Sequence, residues 1–75
     1  MVYIMGQVSR PGPFRLQEET VVLQALAVAG GITERGSSKR IKIIRVVNGK
    51  KVEIKAQLTD VVQPGDTIMV GERFF

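Results

Sequence analysis

Apolar and polar positions trade places along this chain with a period near two, except in one segment where the period lengthens. Residues 2–8 (VYIMGQV) alternate loosely and predict a strand, with Gly6 as a bulge or a point of close backbone approach. Pro11 and Gly12 predict the i+1 and i+2 positions of a type II turn, because proline presets φ and glycine accepts a positive one. Pro13 cannot donate to a ladder, so it marks the edge or start of the next short strand, residues 14–16, and the corner predicts a tight hairpin turn. Residues 21–29 (VVLQALAVA) predict a helix on the strength of their alanines and leucines. Thr20 is its N-terminal cap, Glu18 and Glu19 complement its dipole, and Gly31 takes the left-handed position that ends it, with Ile32 folding back onto Leu26.

The second half is more regular. Residues 33–40 are polar and predict a loop. Residues 41–47 and 50–55 alternate around Asn48-Gly49, the strongest short-range hairpin signal. A two-residue loop sets the register: Ile43 faces Ile54 and Arg45 faces Val52, while on the other face Lys42 meets Lys55 and Ile44 meets Glu53. Residues 58–62 predict a single helical turn, Gln63-Pro64-Gly65-Asp66 a second Pro-Gly turn with Asp66 bonding backbone amides, and residues 67–70 the last strand. The order ββ-α-ββ-β predicts an α+β fold of the β-grasp kind: a mixed sheet of about five strands with one α-helix packed across it.

The helix pattern leaves a question. Val22, Leu23, Leu26 and Ala29 are expected to face the sheet, yet the other side carries Val21, Gln24, Ala25 and Val28, which is mostly apolar as well. A helix that shows water so little polarity is expected to be covered by another domain or another copy.

With 75 residues the chain makes a single domain with a small core. Cysteine and histidine are both absent, which excludes thiol chemistry, imidazole acid–base catalysis and metal sites built on either residue. Seven carboxylates are scattered along the chain with no spacing that suits shared acid–base work or calcium. Gly30-Gly31 ends a helix rather than opening one, so it is no phosphate cradle. The expectation is therefore no catalytic residue and no cofactor. The longest apolar run, residues 21–29, is too short to span a bilayer, and the N-terminus shows no signal-peptide pattern.

Charge is the more informative property. The formal net charge is +4, and eight of the eleven basic residues lie from Arg35 to Lys55 with Glu53 as the one acid among them. Two lysines directly opposed in the predicted hairpin repel mildly. Both features suggest a surface for an acidic partner.

The ordered series VYIMGQVSRPGPFRL, TVVLQALAVAGGIT, KRIKIIR and QPGDTIMVGERFF resembles the SLBB (soluble ligand-binding β-grasp) domain of the polysaccharide biosynthesis/export family, the outer-membrane and periplasmic exporters of capsule and exopolysaccharide. The likeness covers nearly the whole chain, with Gly71 a departure where the exporters more often have proline before Glu-Arg. It implies that residues 1–75 are one SLBB domain of a longer exporter. It also implies periplasmic or outer-membrane residence and stacking into a homo-oligomeric ring around the exported polymer. Pro11, Gly12, Pro13, Gly30, Gly31, Pro64, Gly65 and Asp66 carry over as positions that define the fold. The surface expected to cover itself in the assembly comprises Val21, Gln24, Ala25, Val28, Phe74 and Phe75. Contact with an acidic polysaccharide is expected at Arg10, Lys39, Arg40, Lys42, Arg45 and Lys55, where cations meet carboxylates. Nucleic-acid binding, as in SLBB modules of DNA uptake, is the alternative; it lacks an aromatic pair for stacking bases. A ubiquitin-like sulfur carrier is set aside because the chain ends Arg-Phe-Phe rather than Gly-Gly.

Overall fold

A computed structural model describes residues 1–73; Phe74 and Phe75 lie outside the described residues. Its elements run β1 (Val2–Gly6), β2 (Gly12–Phe14), α1 (Val22–Val28), β3 (Gly36–Val47), β4 (Lys50–Ala56) and β5 (Thr67–Glu72). The strands form one mixed sheet in the order β2-β1-β5-β3-β4, with β1 and β5 parallel and the other neighbours antiparallel. This is the α+β arrangement of a β-grasp, as the element order predicts.

The two faces of the sheet have different fates. Val2, Ile4, Ile41, Ile43, Ile68 and Val70 point toward α1 and are buried. They alternate with Tyr3, Met5, Lys42, Glu53 and Lys55, all exposed on the outer face. Burial of one such aliphatic side chain contributes roughly 1.5–3 kcal/mol, so six of them along three adjacent strands make this row the main support of the fold.

The helix meets that row with Val22, Ala25, Leu26 and Ala29, all buried. Their i, i+3, i+4, i+7 spacing is the stripe of a 3.6-residue period. This corrects the expected face: Leu23 lies a hundred degrees away from Val22 and is 56% exposed, while Ala25 is fully buried. Size misleads here, because the small side chains of Ala25 and Ala29 are what let the helix lie close to the sheet.

Both helix ends differ in detail from expectation. At the start, Thr20 Oγ1 donates to the Gln17 carbonyl (2.7 Å) and caps nothing; Gln24 Oε1 instead accepts from the Val21 amide (3.1 Å). The first turn holds no acid, and Glu19 adopts a left-handed φ of 61° in the preceding turn. The Val22 and Leu23 amides donate to the carbonyls of Asp60 and Leu58. Residues 58–62 are therefore not a helical turn but an irregular segment that serves the helix N-terminus, anchored by the Val21–Val61 bridge. At the far end Gly30 N–H donates to Ala27 and Gly31 N–H to Leu26, the pair of bonds of a Schellman motif. Gly30, not Gly31, is the first residue past the cap, and both have positive φ.

The opening corner is also reorganised. The last β1–β2 pair is Ile4 with Gly12, so the link from the end of β1 at Gly6 through residues 7–11 is a wide loop rather than a tight turn, and Gly12 (φ 147°) begins β2. Gly6 ends β1 because β5 comes so close: a Cβ there would sit 2.2 Å from the Val70 carbonyl oxygen. The chain then turns at once, Val8 N–H donating to Gly6 O, and runs to the helix C-terminus, where Arg10 N–H donates to Ala29 O (2.8 Å) and Ser9 N–H to Gly31 O. The corner's work is to cap the helix.

The predicted hairpin has its register residue for residue: Ile43 with Ile54, Arg45 with Val52, Lys42 with Lys55, Ile44 with Glu53. Asn48 and Gly49 both have positive φ (50° and 79°), the signature of a type I′ turn. The expected 33–40 loop is only partly a loop. Strand β3 starts at Gly36, and from the Gly36–Glu72 pair to the Ile41–Val70 pair β3 advances five residues against two on β5. The three extra residues make a bulge.

A basic groove at the bulge

The bulge is what concentrates charge. Pairing breaks between Gly36 and Ile41, and Lys39 N–H finds Ser37 Oγ instead (3.1 Å). Lys39 and Arg40 are thereby thrown out of the ladder. They border an open groove of about 960 Å³ whose other walls are Lys42 and Lys55 from the hairpin and Gly71, Glu72 and Arg73 from the end of β5. Five cations and two acids, Glu53 and Glu72, line it, so its formal charge is 5 − 2 = +3, most of the chain's excess.

Within the groove, Lys42 Nζ meets Glu53 Oε1 at 3.0 Å, with both side chains at least half exposed. Two opposed lysines are thus relieved by a diagonal acid, an exposed pair of the kind that contributes under about 1 kcal/mol. Gln7 Nε2 donates to Glu72 Oε1 at 3.4 Å. Lys39 and Lys55 form no salt bridge among the described residues. Gly71 has a local part: a Cβ there would lie 3.1 Å from the Arg40 carbonyl oxygen and 3.2 Å from Arg40 Cβ, so a bare backbone lets the Arg40 strand pass close.

The six predicted contact residues therefore divide. Lys39, Arg40, Lys42 and Lys55 converge on one groove. Arg10 does not; it lies by the helix C-terminus, its Nη2 donating to Val28 O (3.2 Å). Arg45 does not either, and its expected contact role is corrected. It stands on the inner face and grips Asp66 with two bonds, Nε to Oδ1 at 2.9 Å and Nη2 to Oδ2 at 2.8 Å. Asp66 is 1% exposed and also accepts from the Gln63 amide (2.9 Å), as its place after a Pro-Gly turn predicts. The bidentate bond, with Asp66's charge, pushes the Arg45 pKa upward. This pair welds the second Pro-Gly turn to β3.

Arg73 is a groove residue that sequence reasoning missed. Its position depends on β5 lying beside β3, which no local signal reveals. Tyr3, 46% exposed, shares the outer sheet face but sits two strands from β3.

Of the predicted assembly residues, Gln24 and Val28 are exposed, Val21 is half-buried, and Ala25 is inside the core. Phe74 and Phe75 fall outside the described residues. Leu23 and Ala27 take the place of Ala25 on the exposed helix face. Among the described residues no group of three or more metal-ligating side chains comes together, and no helix is long and apolar enough to cross a membrane.

A β-grasp sheet with an open, charged groove offers a surface on which a partner can bind. The family model of the SLBB domain matches residues 1–56, three quarters of the chain, and the protein belongs to the SLBB domain family. No curated protein matches it. The matched region ends with β4; β5, which completes the sheet and one wall of the groove, follows it.

Proposed function

We propose that this SLBB domain is a non-catalytic, periplasmic module of a polysaccharide export protein, and that it contacts acidic polysaccharide through the groove at the β3 bulge. The convergence of Lys39, Arg40, Lys42, Lys55 and Arg73 on one open surface carries the reading. An open groove lined by cations suits a polymer that slides past: each carboxylate meets a positive charge without a deep pocket. The exposed helix face of Leu23, Gln24, Ala27 and Val28 is the surface by which the module docks on neighbouring copies or domains of the exporter.

The charge reversal Lys42→Glu with Lys55→Glu tests the groove. Retention on immobilised alginate, a polyuronate, is expected to fall at least tenfold while the circular dichroism spectrum is unchanged. Undiminished retention sinks the groove as the contact. Nucleic acid is the competing polyanion. Tight binding of a single-stranded oligonucleotide, with a log–log salt slope near −0.7 per phosphate neutralised and no retention on alginate, decides for it.

A further inference from the structure

Strand β4 closes one side of the sheet. It pairs with β3 alone, and no strand among the described residues flanks its other side. A two-residue hairpin closes on a hydrogen-bonded pair, so the backbone groups of Lys50, Val52, Ile54 and Ala56 turn toward β3. Those of Lys51, Glu53 and Lys55 turn to the free edge. An unpaired strand of this length is a template for another strand, and proteins block such edges with charged side chains, lysine above all, or with proline or bulges. The edge of β4 has neither proline nor bulge, and its outward charges run plus, minus, plus at Lys51, Glu53 and Lys55. On the other face Val52 and Ile54 remain 38% and 36% exposed although they flank the core row.

We infer that β4 pairs antiparallel with β4 of a second copy of this chain, about a two-fold axis at Ile54. The sequence KKVEIKA chooses that register. With Glu53 on the axis, glutamate faces glutamate and Lys51 faces Lys55 twice. With Val52 on the axis, Lys51 meets Glu53, but Lys50 is pressed against Ile54. With Ile54 on the axis, Glu53 faces Lys55 of the second copy and Lys55 faces its Glu53, while Val52, Ile54 and Ala56 face Ala56, Ile54 and Val52. Both faces of the new ladder are then matched. Glu53 sits between Lys42 of its own chain and Lys55 of the other, which gives Lys55 the acid it lacks within one chain. An isologous contact of this kind consumes the edge, so it closes at two copies and does not propagate into fibres. Glu53 and Lys55 also line the groove, so strand pairing and a polyanion draw on the same Lys55, and the cross-linking below tests the pairing without any polyanion present.

A cysteine-free chain allows a direct test. The axis residue belongs to a non-hydrogen-bonded pair, whose Cα atoms lie about 4.5 Å apart, within the range a disulfide spans. Under mild oxidation Ile54→Cys is expected to give a covalent dimer. Val52→Cys and Glu53→Cys, each facing a different residue of the second copy, are expected to stay monomeric. Equal or faster cross-linking of either control overturns the register. In the unmodified protein, raising the concentration is expected to slow amide exchange at Glu53 and Lys55 and leave Val52 and Ile54 unchanged. Glu53→Lys is expected to weaken self-association by roughly tenfold or more in sedimentation equilibrium, since it reverses two contacts at once. A chain that stays monomeric at millimolar concentration overturns the inference altogether.

Discussion

Removal of the Asp66 carboxylate by Asp66→Ala is the sharpest test of how the sheet is held. The carboxylate is 1% exposed and accepts three bonds, two from Arg45 and one from the Gln63 amide, at 2.8–2.9 Å. Arg45's side chain is itself only 22% exposed, so the pair is shielded from solvent and salt. Breaking one side of a buried pair costs about 3–5 kcal/mol, because the surviving charge stays where it is and loses its partner. Arg45 can reach some water, so the lower end applies, about 3 kcal/mol. A chain of this length has roughly 4–11 kcal/mol in all at 0.05–0.15 kcal/mol per residue. The loss is therefore about a quarter or more of the total, and the melting temperature is expected to fall by about 12–24 °C. Urea unfolding followed by circular dichroism measures it. Arg45→Ala is expected to cost at least as much, since it strands a deeper charge, and the double variant much less than the sum. The sign of the pH dependence follows from Arg45. Its pKa is raised on folding, so its contribution is complete below the unfolded value and lost only as pH climbs past the folded one. Arg45's contribution is thus expected to be constant over the whole range below its unfolded value, and no pH-dependent loss from its titration is expected near neutrality. A cost under about 1 kcal/mol for Asp66→Ala, or single-variant effects that add within about 0.5 kcal/mol, refutes the reasoning.

Two further outcomes are expected. Gly6→Ala puts a methyl 2.2 Å from the Val70 carbonyl oxygen on a backbone with φ 88°, and it is expected to cost several kcal/mol or prevent folding by circular dichroism, on the order of a strained residue plus an overpacked one; a change under about 1 kcal/mol shows that β1 and β5 can separate without penalty. Ala25→Glu is expected to unfold the domain while Leu23→Glu leaves its melting temperature within a few degrees, and near-equal effects show that the helix buries a different stripe.

The parts of the fold legible in sequence are those decided by a few adjacent residues. Asn48-Gly49 sets the hairpin register alone, because only a type I′ turn suits that dipeptide and the side-chain period of two does the rest. Gln63-Pro64-Gly65-Asp66 folds as its residues dictate, with the Asp66 amide donating to Gln63 O and Gly65 at φ 90°. What was not legible depends on distant segments. Pro11-Gly12 has the local signature of a tight turn, but helix carbonyls compete for the amides of Ser9 and Arg10 and the loop opens to serve them. Thr20 has the signature of a cap, but the Leu58 and Asp60 carbonyls already accept from the first helical amides. The β3 bulge reads as a polar loop because its partner, β5, lies 29 to 36 residues away in sequence, as the Ile41–Val70 and Gly36–Glu72 pairs show.

The same distinction explains which basic residues converge on the groove and which do not. Position in the chain treats Arg45 and Lys42 as neighbours in one cluster. Strand alternation separates them: Lys42 and Arg45 differ by an odd number, so they stand on opposite faces. Arg45 then meets Asp66 and is neutralised inside, Lys42 is half-satisfied by Glu53 outside, and the ammonium groups of Lys39 and Lys55 are left with no salt bridge among the described residues. A net charge of +4 is therefore not a property of the whole surface. It belongs mainly to the place where a bulge expels Lys39 and Arg40 beside a hairpin that holds two lysines opposite each other. The attraction such a groove exerts on a polyanion depends on cations not already committed within the fold. Lys39 and Lys55, rather than Arg45 or Arg10, are consequently the residues on which the proposed attraction is expected to turn.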